Sequence, residues 1–259
     1  MKIVIIGAGR VGTALSYALK SSGHNILRVI SKTPGSAAAL AKELGCGHGT
    51  GMEIPDEAGL VITAVNDDNL QGVLSSLKAP GDTVIAHTAG SVGLDVFDPK
   101  TVNRGVIYPL QTFTHGREYD FSDIPLFIEG SNEHTLNLLS AVASSLSNSV
   151  SEMNSDSRKY LHLAAVFSCN FVNHMYSAAE EICKKAGVSY EVLYPLVRET
   201  MEKASDMGPL NSQTGPAIRN DKKTIEKHLD LVSFSGDLKE LYRVISKSII
   251  NKYTGRINE

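Results

Sequence analysis

A chain of 259 residues, 42% hydrophobic and 20% charged, is long enough to bury about three quarters of its unfolded surface, and its formal charge of −3 excludes the basic field that would recruit nucleic acid or an anionic membrane. Three scattered cysteines, Cys46, Cys169 and Cys183, exclude a disulfide scaffold and a paired zinc site, so no metal is expected and the thiols read as reduced, in a cytoplasmic protein. The first apolar run, residues 3–6, has only the length of a strand, and no run approaches the roughly 20 residues of a membrane span, which leaves a small molecule as the expected partner.

The first part alternates β-branched runs with amphipathic stretches, the pattern of an α/β fold with a doubly wound parallel sheet. KIVII (2–6), NILRVIS (25–31), LVITAV (60–65), TVIAH (83–87) and GVIY (105–108) are the predicted strands, with helical spacing over 11–22, 36–44 and 68–77 between them. PLFIEG (125–130), a helix over 132–146 and a strand over 149–153 complete a predicted dinucleotide-binding domain at 1–153. From Asn154 the strand-like runs give way to helical ones, so 154–259 is predicted as an all-α domain whose long first helix leans on a partner helix, from its own domain or a second subunit. Its first helix is predicted from a cap at Asn154 or Asp156 to Gly187, with Glu180–Lys184 and Glu181–Lys185 spaced for i,i+4 pairing. Helices at 189–205, 221–232 and 236–253 follow, with Asp221 and Ser235 as caps.

In IVIIGAGRVGTALSYAL, the residues Gly7, Ala8, Gly9, Arg10, Val11 and Gly12 make a G-x-G-x-x-G turn between a strand and a helix. The glycines differ in what they make possible. Gly7 makes the tight turn, Gly9 lets the backbone approach a pyrophosphate, and Gly12 packs the helix against the sheet. The nucleotide is selected at the end of the second strand, where an acidic residue would bind the ribose hydroxyl of NAD. Ser31 and Lys32 stand there instead, and with Arg10 they suit a 2′-phosphate, so NADP(H) is the expected cofactor. Val65, Asn66 and Thr88, at the carboxyl ends of two later strands, are the expected neighbours of the nicotinamide half. Asp67 or Asp68 reads as a helix cap, and His87 as either a substrate contact or a structural histidine.

The turn GAGRVG, then AVNDD, HTAGS, YPLQTF, FIEGS, HLAAVFSCNFVNH and TGPAIRND occur in one order along nearly the whole chain. In this the chain resembles bacterial Rossmann-like proteins labelled as NADP oxidoreductases, whose carboxyl-terminal helical half is a domain of unknown function. The resemblance implies a relation to pyrroline-5-carboxylate reductase, ketopantoate reductase and the β-hydroxyacid dehydrogenases: a Rossmann domain, then a helical domain that often forms a homodimer. In the last two relatives a catalytic Lys lies four residues before an Asn on the first long helix. With Asn170 in the place of that Asn, the Lys position is occupied by Val166.

Hydride transfer to a carbonyl or imine needs a proton for the developing charge. At about 100° per residue, His162, Asn170 and His174 fall on one broad side of the helix, which makes them the candidates for catalysis. Ser168 and Asn173, on the same apolar stretch, read as structural. Arg219, in the turn that Thr214 opens, reads either as a donor to a substrate carboxylate or phosphate or as a tie between the loop and a neighbouring helix, and Gln111 and Thr112 are expected to extend the polar wall if their strand end faces the same crevice. Two functions fit: an NADPH-dependent oxidoreductase acting on a small carbonyl or imine compound in a cleft between the domains, or an NADP-binding redox sensor or partner protein without turnover.

Overall fold

The computed structural model describes residues 1–253, which pack as two compact units divided between Cys169 and Asn170. The first unit runs β1 (Lys2–Ile6), α1 (Arg10–Ser21), β2 (Asn25–Ile30), α2 (Pro34–Leu44), β3 (Gly47–Gly49), β4 (Leu60–Thr63), α3 (Asp67–Ser76), β5 (Val84–His87), β6 (Arg104–Pro109), β7 (Leu126–Gly130), α4 (Glu133–Ser144), β8 (Val150–Glu152) and α5 (Ser155–Ala165). Eight strands form one sheet in the order β3-β2-β1-β4-β5-β6-β7-β8. Strands β1, β4 and β5 carry Val, Ile and Leu on both faces and are buried on both, as parallel strands covered by helices must be. On one face Leu15 and Leu19 of α1, Leu40 of α2 and Leu139 of α4 meet Ile3, Ile5 and Ile62. On the other, Leu70 and Leu74 of α3 meet Val4, Ile6 and Val61.

The sheet is not wholly parallel. β7 runs antiparallel to β6 and parallel to β8, so the last two strands are reversed. The connection over 110–125 forms only a 3-10 turn at Phe121–Asp123 before β7 pairs back along β6. The Gly47–Gly49 strand has too few β-branched side chains to be read from sequence, yet it pairs with β2.

In the second unit lie α6 (Val172–Ala186), α7 (Tyr194–Met207), α8 (Lys222–Leu231) and α9 (Gly236–Tyr253). Between α5 and α6 the residues Val166–Phe171 form a π-helical turn. Asn154 and Asp221 cap their helices as expected, accepting from the Ser157 and Thr224 backbone N–H groups. Lys184 pairs with Glu180 at 2.8 Å, whereas Lys185 lies 5.6 Å from the Phe234 ring centre rather than on Glu181. HLAAVFSCNFVNHMY is less buried than its composition suggests, with Leu163 half exposed and Ser168, Asn170, Asn173 and His174 exposed. Among the described residues no helix is long and apolar enough to cross a membrane, and no cluster of side chains is arranged to hold a metal.

Candidate functional site

The sheet order reverses direction beside β1, which has β2 on one side and β4 on the other, and a crevice opens there at the carboxyl ends of the strands. The β1–α1 turn is shaped by its glycines. Gly7 has φ +106°, and a Cβ on it would lie 2.2 Å from the Ala64 carbonyl oxygen. A Cβ on Gly12 would lie 1.9 Å from the Gly7 carbonyl oxygen, so neither position admits a side chain. A Cβ on Gly9 meets nothing within 4 Å, which leaves open space directly over the start of α1. That helix begins without a side-chain cap and without an acidic residue in its first turn, so its free N–H groups and positive dipole end suit an anion.

A cleft of about 500 Å³ gathers Gly7, Ala8, Gly9, Ser31, Lys32, Val65 and Asn66. Thr33 and Ser36, at the start of α2, add hydroxyls beside Lys32, and among the described residues Lys32 forms no ion pair. The turn, the open space over Gly9 and this polar rim fit the pyrophosphate and a phosphorylated ribose. Arg10 falls elsewhere: it lines a separate groove with Tyr17, Glu43 and Arg117. Val11 and Gly12 lie in the first turn of α1. Thr88 is buried at the end of β5, where its N–H donates to the Thr63 carbonyl at 3.2 Å.

At the ends of β5 and β4 the structure decides one sequence expectation and corrects another. His87 is fully buried, its ring stacked on Phe97 and its Nδ1 accepting from the Ala89 N–H at 3.2 Å, so it shapes the loop and cannot touch a substrate. Burial, with the Arg158 guanidinium nearby as the next cause, pushes its pKa down to about 4, and it is neutral. Asp67 does not cap α3. Asn66 holds the cap position without a side-chain bond, and the Asp67 carboxylate accepts from the Ser91 hydroxyl, tying the β4 loop to the β5 loop.

The sequence reading missed Arg158, Glu129 and Tyr108, which organise this end of the sheet. Arg158 of α5 is fully buried; it pairs with Glu129 of β7, and its Nη2 donates to the Val92 carbonyl at 2.6 Å. Glu129 also accepts from the Ser155 N–H at 2.9 Å and from its hydroxyl at 2.8 Å. The first turn of α5 is thereby fastened to β7 and to the loop after β5. One turn onward, at the i,i+4 spacing, is His162, whose Nδ1 lies 3.0 Å from the Tyr108 hydroxyl at the end of β6. Tyr108 and Glu129 belong to YPLQTF and FIEGS, so their motifs were visible, whereas Arg158 lies in none of the motifs.

The remaining candidates are scattered. Gln111 and Thr112 are exposed in the loop after β6, where the Gln111 side chain accepts from the Thr112 N–H at 2.8 Å. Asn170, His174, Thr214 and Arg219 belong to the second unit, and all four are exposed there. The π-helical turn also withdraws one argument for grouping the helix residues, because i→i+5 bonding advances each residue by less than the regular angle.

Residues 1–113 match the model of a Rossmann-like domain, and residues 124–249 match that of a domain of unknown function, DUF2520. No curated protein matches the chain. Among solved structures, BF3122 from Bacteroides fragilis, described as a candidate NADP oxidoreductase, is 40% identical with a TM-score of 0.88, over 96% of this chain and 98% of that one. A reductive aminase from Aspergillus terreus, in complex with NADPH and ethyl-5-oxohexanoate, is 15% identical with a TM-score of 0.74, over 97% of this chain and 94% of that one. An imine reductase from Myxococcus stipitatus, in complex with NADP+, is 16% identical with a TM-score of 0.67, over 100% of this chain and 94% of that one. These last two share the fold. The chain therefore belongs to the family that joins an amino-terminal Rossmann-like domain to a carboxyl-terminal DUF2520 domain.

Proposed function

We propose that the chain is an NADPH-dependent oxidoreductase that reduces a small carbonyl or imine compound. The observation that carries this reading is the glycine-shaped turn opening into a cleft that ends, beyond β2, in Ser31, Lys32, Thr33 and Ser36, with no carboxylate at the end of that strand. Hydroxyls and an ammonium group favour a phosphorylated ribose over a bare one. The description of BF3122 as a candidate NADP oxidoreductase and the nucleotides bound to the reductive aminase and the imine reductase support the same cofactor. When bound, the cofactor supplies the hydride. The protein holds the pyrophosphate at the start of α1 and the 2′-phosphate at Ser31 and Lys32. Val65, Asn66 and Thr88 line the approach to the nicotinamide, and His162 stands at the same strand ends with its Nδ1 on the Tyr108 hydroxyl. Asn170 and His174 as further catalytic groups, and Thr214 and Arg219 as a seat for a substrate carboxylate, belong to the same reading.

The test is a titration with NADPH and NADH followed by a screen of aldehydes, ketones and cyclic imines for loss of NADPH absorbance. Tighter binding of NADH would overturn the cofactor assignment. NADPH binding without turnover on any compound would favour the redox-sensor reading, which Val166 in the place of the relatives' lysine supports.

The active form is a homodimer in this reading. Leu163, Val192, Leu196, Met201 and Leu231 are all at least half exposed on the single chain, more apolar surface on helices than a monomer ordinarily leaves in water. Light scattering after size exclusion checks it, with a monomer as the refuting result.

A further inference from the structure

We propose that Tyr108 is the group that hands the proton to the substrate, and that His162 resupplies it; the inference rests on the reductase reading above. The Tyr108 hydroxyl and His162 Nδ1 are 3.0 Å apart, and the rings meet edge to face with centres 6.0 Å apart. The pair exists because of a missing side chain. A Cβ on Gly90 would lie 2.7 Å from His162 Nδ1 and 2.7 Å from Tyr108 Cζ, so only glycine in HTAGS lets the two rings close over the loop that ends β5. Tyr108 ends its strand beside that loop, at the carboxyl edge where the Rossmann turn and Asn66 also lie. On the helix the relatives' lysine position is Val166, which has no proton to give.

The surroundings suit a donor. Burial raises the Tyr108 pKa above the ordinary phenol value, and the Arg158 charge, acting the other way, limits the rise. The phenol is thus protonated near neutrality, while Arg158, locked to Glu129, favours the phenolate when it forms. Cys169, also near enough to act on Tyr108, opposes that charge when ionised. In the step, hydride adds to the carbon of the C=O or C=N bond. The π electron pair moves to oxygen or nitrogen, which takes the Tyr108 proton as the phenol O–H bond breaks. His162 then returns a proton from Nδ1 to the phenolate, and a proton from solvent replaces it. One hydride and one proton are consumed for each reduced bond.

The experiment compares two probes: an activated benzaldehyde, which needs a proton, and a quaternary N-methyl-dihydroisoquinolinium, which accepts hydride without one. Tyr108→Phe is expected to lower the aldehyde rate by about 10²-fold or more and the iminium rate far less. NADPH affinity, read by fluorescence, stays within about 3-fold. Gly90→Ala, which forces the rings apart, is expected to reproduce the selective loss. A readout without cofactor or substrate comes from protein labelled with ¹³Cζ-tyrosine. The Tyr108 resonance, identified by its absence in Tyr108→Phe, should show a pH-dependent shift that is lost in His162→Gln. An equal loss on both probes, no loss on either, or a Tyr108 resonance blind to His162 would overturn the proposal while leaving the reductase reading standing. A wild-type protein that reduces neither probe would overturn the reductase reading and the donor role with it.

Discussion

Acidification should destabilise the fold through His87 before most carboxylates titrate. The ring is fully buried against Phe97, and its pKa is held at about 4 against 6.5 for an ordinary histidine, first by burial and then by the Arg158 charge. The Gly93 carbonyl and the Asp67 and Asp95 carboxylates act in the opposite direction and are too weak to offset it. Between about pH 6.5 and pH 4 the unfolded chain binds a proton at this residue and the folded one does not, so stability falls as the pH drops through that window. Above it both forms are neutral, and below it both are charged. At about 1.4 kcal/mol per pKa unit the full loss is on the order of 3 kcal/mol, a sizeable part of a domain's net stability. Urea unfolding at several pH values, for the wild type and for His87→Gln, isolates the effect, because other titrating groups are common to both. The wild type should lose its stability advantage by about 3 kcal/mol on going from neutrality to pH 4. A difference between the two proteins that does not change with pH would show that His87 is not buried and neutral.

Other substitutions probe the cleft, the glycine turn and the buried ion pair. Lys32→Glu should weaken NADPH binding by about 10-fold or more and shift the preference towards NADH, measured by fluorescence titration of both nucleotides. Gly12→Ala brings a Cβ to 1.9 Å from the Gly7 carbonyl oxygen, so the β1–α1 turn must shift, and calorimetry should find dinucleotide binding lost while the far-ultraviolet dichroism persists. Arg158→Met leaves Glu129 without its partner and should cost about 3–5 kcal/mol in urea unfolding. Arg158→Met combined with Glu129→Leu should recover much of that loss, because removing both charges removes the uncompensated one.

Much of the fold was legible because its signals are local. The β-branched runs that became β1, β4 and β5 needed no knowledge of their neighbours, and Gly7, Gly9 and Gly12 announced a turn whose purpose is steric. The reversed strands were not legible, since PLFIEG reads as a strand whichever way it runs and its direction shows only in its pairing with β6. In the site, Ser31 and Lys32 could be found by their offset from the glycine turn. Tyr108, Glu129 and Arg158 could not, because what makes them matter is a meeting of β6, β7 and α5 across long separations. His87 is the opposite case: a histidine at a strand end reads equally as a substrate contact or a structural group, and only its burial decides for the second. The π-helical turn at Val166–Phe171 has no residue signature, and the angular bookkeeping of a regular helix passed over it.

The sheet ends on both sides in strands of three residues, Gly47–Gly49 and Val150–Glu152. So short a rim offers few free amides and carbonyls to template another molecule's backbone, which is how a sheet protein avoids fibrous association. The aggregation behaviour of this protein should therefore be governed by the side chains its helices expose rather than by the edges of its sheet.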